Sequence, residues 1–223
     1  MKLSKTCGAA TLVAVLAVGN SAYSQTSVTL SSLLTAGSIT SGDLVFSGFS
    51  NFTQGGGFLV SSSAITVTVV SGGIQFSSSP QWDLSGTSLS AFFTLNFNVA
   101  TTDGSFITGL ASTLSGTPTG QGQAGIDDEV TTARGGLLGQ PNPYINQAYT
   151  GSTLLTSSVS FASQSTVSVA KVMAMSTGGT GTPTIIVNNF SDTFVTTAVP
   201  EPSSMALLGS FGGLGLFLLH RRN

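Results

Sequence analysis

The sequence predicts an all-β protein, an antiparallel β-sandwich, flanked by an N-terminal signal peptide and a short C-terminal transmembrane helix. Three observations lead there. Apolar residues alternate with Ser, Thr and Asn at period two in several runs. Turn-prone stretches such as "SGG", "TTDG", "SGTPTG" and "STGGTGTP" separate those runs, and no helical stripe interrupts them. Charged residues make up only 6% of the 223 positions, while hydrophobic residues make up 40%. That is too apolar and too weakly charged for a disordered chain, and long enough for one domain with a core.

From the N-terminus, Lys2 and Lys5 precede an apolar stretch from Cys7 to Gly19, and Ala22 and Ser24 offer small residues to a signal peptidase. We expect cleavage after Ser24, giving a leader over 1–24. Cys7 precedes the apolar run instead of ending it, so a lipoprotein is not indicated. It is the one cysteine of the chain, which leaves the body over 25–198 to fold without a disulfide.

The body opens with "DLVFSGF", a short strand candidate. "AITVTVV" then places Ile65, Val67 and Val69 inward. "LSAFFTLNFNVA" aligns Leu89, Ala91, Phe93, Leu95, Phe97 and Val99 on one face, with Phe92 as the exception. "SFITGLASTL" and "LLTSSVSFA" are weaker strands. Between them, "GTPTGQGQAGIDDEVTTARGGLLGQPNPYINQAY" is the least strand-like part and reads as a long loop. "STVSVAKVMAM" aligns Val167, Val169, Met173 and Met175, but Lys171 falls on the same face. That suggests an edge, a strand end or a snorkelling stem. "TIIVNNFSDTFV" closes the set.

Functional chemistry is sparse. The single histidine, His220, lies in the tail beside Arg221, so a Ser-His-Asp triad and His-based metal sites are not expected. No cofactor and no enzymatic activity are expected. Asp127, Asp128 and Glu129 form the densest acidic cluster. They are weak candidates for a Ca²⁺ site, because consecutive strand side chains diverge, and a solvated turn is the plainer reading. Asp43, Asp83 and Asp103 each neighbour Gly or a turn and read as turn formers. Trp82 stacks on a sugar or joins the core, the latter being more common; Tyr144 and Tyr149 are the other aromatic candidates for a glycan. Between the ends, Arg134 and Lys171 are the only basic residues, which excludes nucleic acid as a partner.

The last residues carry the most specific signal. "VPEPSS" is followed by "MALLGSFGGLGLFLLH" and then "RRN". A helix from Met205 to Leu219 would be about 22 Å long, short against a hydrocarbon core of about 30 Å, with Arg221 and Arg222 kept on the cytoplasmic side. Pro200-Glu201-Pro202, the apolar stretch and the basic end together resemble a PEP-CTERM sorting signal over 199–223. A GPI tail, the nearest rival, is expected to end apolar. The resemblance implies that an exosortase, an integral-membrane cysteine protease, recognises the motif and processes the tail after transient membrane anchoring. It also implies a surface or matrix protein associated with exopolysaccharide or biofilm. Permanent anchoring and a lectin-like surface module are the alternatives. "AGSITSGDLVFSGFSNF" is similar to an opening hairpin of such proteins, and "SVAKVMAMSTG…IIVNNFSDTF" to their closing strand pair.

Overall fold

The computed structural model describes residues 26–57, 60–146 and 152–199. The leader over 1–24 with Ser24, the sorting residues Pro200, Glu201 and Pro202, the tail with Arg221 and Arg222, and Tyr149 lie outside the described residues. Among the described residues, no helix is long and apolar enough to cross a membrane.

Strand β1 (Ser27–Thr29) leads into the five-residue helix α1 (Leu30–Leu34), whose first turn is capped by Thr29 accepting from Ser32 N at 3.3 Å. The strands β2 (Ile39–Ser41), β3 (Leu44–Gly56), β4 (Ile65–Val70) and β5 (Gly73–Ser85) follow. Next come β6 (Ser90–Thr101), β7 (Phe106–Thr119), β8 (Gln121–Thr132), β9 (Leu137–Gly139) and β10 (Tyr144–Asn146). The chain continues through β11 (Ser152–Leu154), β12 (Thr156–Gln164), β13 (Thr166–Gly178) and β14 (Thr184–Thr197).

These strands build two antiparallel sheets packed face to face. The first has the order β1-β4-β5-β14-β7-β12, and the second β11-β10-β8-β13-β6-β3-β2 with β9 also on β8. Period-two alternation supplies the inner faces. Ile65, Val67 and Val69 are buried on β4, and Ala91, Phe93, Leu95, Phe97 and Val99 on β6, as their spacing predicts. Phe92, the exception to the pattern, is exposed; Leu89, expected inward, is exposed too, because it precedes the first residue of β6. Aromatic rings cross the gap between the sheets: Phe46 meets Phe194 at 5.7 Å, and Phe93 meets Phe190 at 5.5 Å. The opening hairpin is present, with Ile39 opposite Phe46 and Ser41 opposite Leu44.

Four expectations are corrected. The segment read as a long loop contains β8, β9 and β10, and β8 is an interior strand of the second sheet. Its inward positions are Gly122, Ala124, Ile126, Asp128 and Val130, so two of the five, Gly122 and Asp128, break the apolar alternation. Lys171 is on no edge: β13 runs between β8 and β6, and the residue is 1% exposed. The two closing strands do not pair with each other, since β13 and β14 belong to different sheets and face one another across the core. Asp83 lies within β5, whereas Asp103 does shape its turn, accepting from Ser105 N at 2.9 Å.

Trp82 is 0% exposed, stacks on Phe93 at 6.2 Å and meets Phe190 in a tilted arrangement at 5.3 Å. It belongs to the core and offers no face to a sugar. Its indole N–H has no acceptor among the described residues. Trp82→Ala is therefore expected to cost about 3–5 kcal/mol of stability in urea unfolding. Trp82→Phe, which also removes an unpaired donor, should cost clearly less.

Candidate functional site

Four strands each place one polar residue at the centre of an apolar inner face. On β8 the order is Ile126, Asp128, Val130, and on β13 it is Val169, Lys171, Met173. On β14 it is Phe190, Asp192, Phe194, and on β7 Leu110, Ser112, Leu114. Pairing brings the four together. Lys171 lies directly opposite Asp128 within one sheet, and Asp192 directly opposite Ser112 within the other. The two pairs then meet in the gap between the sheets.

Lys171 Nζ lies 2.5 Å from Asp128 Oδ1 and 3.0 Å from Asp192 Oδ1, with all three side chains at 0% exposure. It also sits 5.2 Å from the centre of the Phe190 ring, a favourable place for a cation. Ser112 Oγ is hydrogen-bonded to Asp128 Oδ2 and, at 3.0 Å, to Asp192 Oδ1. A hydroxyl has a single hydrogen to give. Both contacts are satisfied when Ser112 donates to Asp128 and accepts from a protonated Asp192. Asp192 Oδ2 has no partner among the described residues. On the side of β5 the backbones lie close together, and a Cβ on Gly73 would meet the backbone oxygen of Asp192 at 1.9 Å.

The protonation states follow from this geometry. Burial pushes the Asp192 carboxyl up, and the neighbouring Asp128 carboxylate adds to the rise, to about 7. The Lys171 ammonium offsets part of it. Burial opposes the Lys171 charge, but the two carboxylates outweigh it and hold the ammonium above its ordinary range. Two carboxylates around one ammonium thus retain a proton near neutrality.

The three acidic residues considered for a metal do not converge. Asp127 and Glu129 point outward and are exposed, while Asp128 points into the core. Among the described residues, no group of three or more His, Cys, Asp or Glu side chains is placed to hold a metal ion.

The outer face of the second sheet carries a different feature. A row of directly paired residues runs Tyr144, Gly125, Ala174, Phe92 and Gly55 across five strands. Tyr144 is 40% exposed and Phe92 47%, and a Cβ on Gly55 would strike the Phe92 ring at 2.6 Å. The two aromatic residues stand three strand spacings apart, about 14 Å at ~4.8 Å per strand, with only Gly and Ala between them. Depressions of ≈ 360 Å³ lie along both sides of this row, one towards Gln123 and Ser176, the other towards Asp127 and Val172. The Asn142 amide, oriented to suit its neighbours, donates to Asp127 Oδ1 at 2.7 Å. A third depression of ≈ 230 Å³ on the same face is lined by Asn96, Asn98, Glu129 and Ser168.

The sequence had singled out Tyr144 for such a surface but not Phe92, which broke the alternation of its strand. The buried cluster was missed as a unit. Its signal was a polar residue flanked at i−2 and i+2 by apolar ones, repeated on four strands.

The class is that of an antiparallel β-sandwich with a C-terminal sorting motif: the PEP-CTERM protein-sorting motif matches residues 198–222. A motif of this kind implies export to the cell envelope and exosortase processing at the C-terminus. No curated protein matches the chain. Among solved structures, the enzymatically active domain of tailspike protein 4 from bacteriophage CBA120 is similar at 13% identity and a TM-score of 0.32. That match covers 66% of this chain, which spans only 20% of the phage protein. TmCBM61, solved with β-1,4-galactotriose, is 11% identical over 66% of this chain and 90% of its own, with a TM-score of 0.28. CsCBM6-3 from Clostridium stercorarium, solved with cellobiose, is 14% identical over 72% of this chain and 94% of its own, with a TM-score of 0.22.

Two outcomes are expected for the buried cluster in its ion-paired state. Asp192 binds its proton more tightly folded than unfolded, where its pKa is near 3.8. Its contribution is therefore full below about pH 4, falls as pH rises towards about 7, and then levels off, by at most about 1.4 kcal/mol per pH unit. Asp192→Asn keeps the neutral form, so it should gain on the unsubstituted protein between pH 5 and pH 8 in urea titrations. Lys171→Met leaves two carboxyls without their cation and should cost about 3–5 kcal/mol. Adding Asp128→Leu should restore most of that loss.

Proposed function

We propose that this is a non-catalytic surface or extracellular-matrix protein, exported through its leader and sorted by exosortase, whose β-sandwich associates with exopolysaccharide or a biofilm matrix. The observation that carries this reading is the sorting motif at 198–222. Pro200 and Pro202 have no N–H to donate, and proline and the residue before it favour extended backbone, the form in which a protease groove takes a peptide. Signal peptidase cleaves after Ser24, the tail with Arg221 and Arg222 anchors the intermediate, and exosortase acts near Pro200, Glu201 and Pro202. Glu201→Ala is expected to leave the body folded and to hold the uncleaved precursor in the membrane fraction. Intact masses from membrane and medium fractions decide it, and normal release of the variant would overturn the sorting role of Glu201.

A second reading, a polysaccharide-binding module, is favoured by the trough between Tyr144 and Phe92. Two exposed rings separated by small residues leave room for a stretch of sugar chain, with the hydroxyl and amide side chains around them as hydrogen-bond partners. Tyr144→Ala and Phe92→Ala are each expected to weaken binding to the host's own exopolysaccharide about five- to tenfold, from roughly 1 kcal/mol of lost ring contact each. Affinity electrophoresis measures the effect while circular dichroism confirms the fold. Unchanged mobility of the double variant would remove the trough as a glycan site.

A further inference from the structure

Lys171 and Asp128 stand closer than an ion pair requires, and a proton carrier and a hydrogen-bond donor lie beside them. The nucleophilic nitrogen lies 2.5 Å from Asp128 Oδ1, next to the carboxyl carbon to which that oxygen is bonded. Lys171, Asp128, Asp192 and Ser112 are all buried, among Phe190, Leu110, Ile126 and Met173. In such surroundings a neutral amine with a neutral acid gains on a separated ammonium and carboxylate. A second carboxyl lies 3.0 Å from the same nitrogen, and its other oxygen has no partner among the described residues. Ser112 holds Asp128 Oδ2. With one cysteine in the whole chain, the protein has no internal disulfide to cross-link it.

We propose that Lys171 Nζ and Asp128 Cγ join in an intramolecular amide bond, with Asp192 as the proton carrier, so that β8 and β13 are covalently linked through the core. The ammonium first passes one proton to the Asp128 carboxylate, giving an amine and an acid. Nζ then attacks Asp128 Cγ, forming the C–N bond and a tetrahedral centre. The protonated Asp192 donates its proton to the departing Oδ1 and takes one from the nitrogen, and so ends as it began. The C–Oδ1 bond breaks and one water leaves. Oδ2, held by Ser112, becomes the amide oxygen, and the Ser112 hydroxyl steadies the charge that develops there. No oxidant, metal or nucleotide enters the balance. Asp192 is the catalytic residue of this step, and Ser112 stabilises the reacting carboxyl. The amide removes the ammonium, so the pH comparison made above applies to the chain before closure.

The test uses the distribution of basic residues. Between the ends, trypsin has two sites, Arg134 and Lys171, and Asp128 lies before the first of them. The full chain is recovered from cells, boiled in dodecyl sulfate, exchanged into urea and digested. The expected result is cleavage after Arg134, no cleavage after Lys171, and two pieces that stay joined, with a mass one water below the sum for the unlinked chain. Separate pieces, cleavage at Lys171 and full mass in the folded wild-type protein would overturn the bond, whatever the variants do. Asp192→Asn is expected to give separable pieces of full mass while the β-sheet signal in circular dichroism persists. Undiminished linkage in that variant would overturn the role of Asp192. Water loss that survives in Lys171→Arg would place the dehydration elsewhere and overturn the site.

Discussion

A lysine placed between two sheets with two aspartates and a serine sets the terms for the whole sandwich. Moving one ammonium and two carboxylates out of water is costly, and the cost is recovered only if each charge meets its partners at short range. The partners come from four strands in two sheets, so the site forms only when both sheets are complete and correctly placed over each other. Register is subject to the same demand. A slip of one residue between β8 and β13 would turn Asp128 to the outer face and leave Lys171 facing the carboxyls of one sheet only.

The surroundings of the cluster answer to that constraint. Phe76, Phe93, Phe190 and Trp82 form a connected aromatic group beside it, and Phe190 lies under the ammonium as well. Rings of this size exclude water and hold the sheets at a fixed separation. Gly73 lets the β5 backbone approach Asp192 where any side chain would collide. Charge, aromatic packing and one missing Cβ thus describe the same small volume. In an exported chain with so few charged residues, that volume concentrates three ionisable ones where solvent cannot screen them.

The outer face of the second sheet follows from the same strands by the period-two rule. Between Lys171 and Asp128, turned inward, and their neighbours Val172 and Asp127, turned outward, there is a single residue step. Rigid packing below makes the surface above it a fixed platform, so Tyr144, Phe92 and the small residues between them keep their spacing. The sorting motif is a separate unit: it addresses the chain and does not depend on the chemistry of the core. A stable body and a processed end are compatible demands because they fall on different stretches of the chain.

How much of this could be read from residues alone depended on whether the information was local. Alternation in "AITVTVV" and "LSAFFTLNFNVA" determined strands and their buried faces, because side-chain direction in a strand depends only on position. The sorting motif was equally local, being a short ordered string at 198–222. "QGQAGIDDEVTT" misled because Gly and Asp occupy inward positions, so its hydrophobic signal fell below that of a strand. Lys171 suggested an edge because a lone cation on an apolar face has no local explanation. Only the tertiary structure could bring Asp128 and Asp192 to it, through one cross-strand pair and one contact across the core. The pattern of an inward polar residue between two apolar ones was present four times in the sequence. Which of the four meet was decided by strand order and sheet packing, because ion pairing at 2.5 to 3.0 Å is set by three-dimensional proximity and leaves no periodicity in the chain.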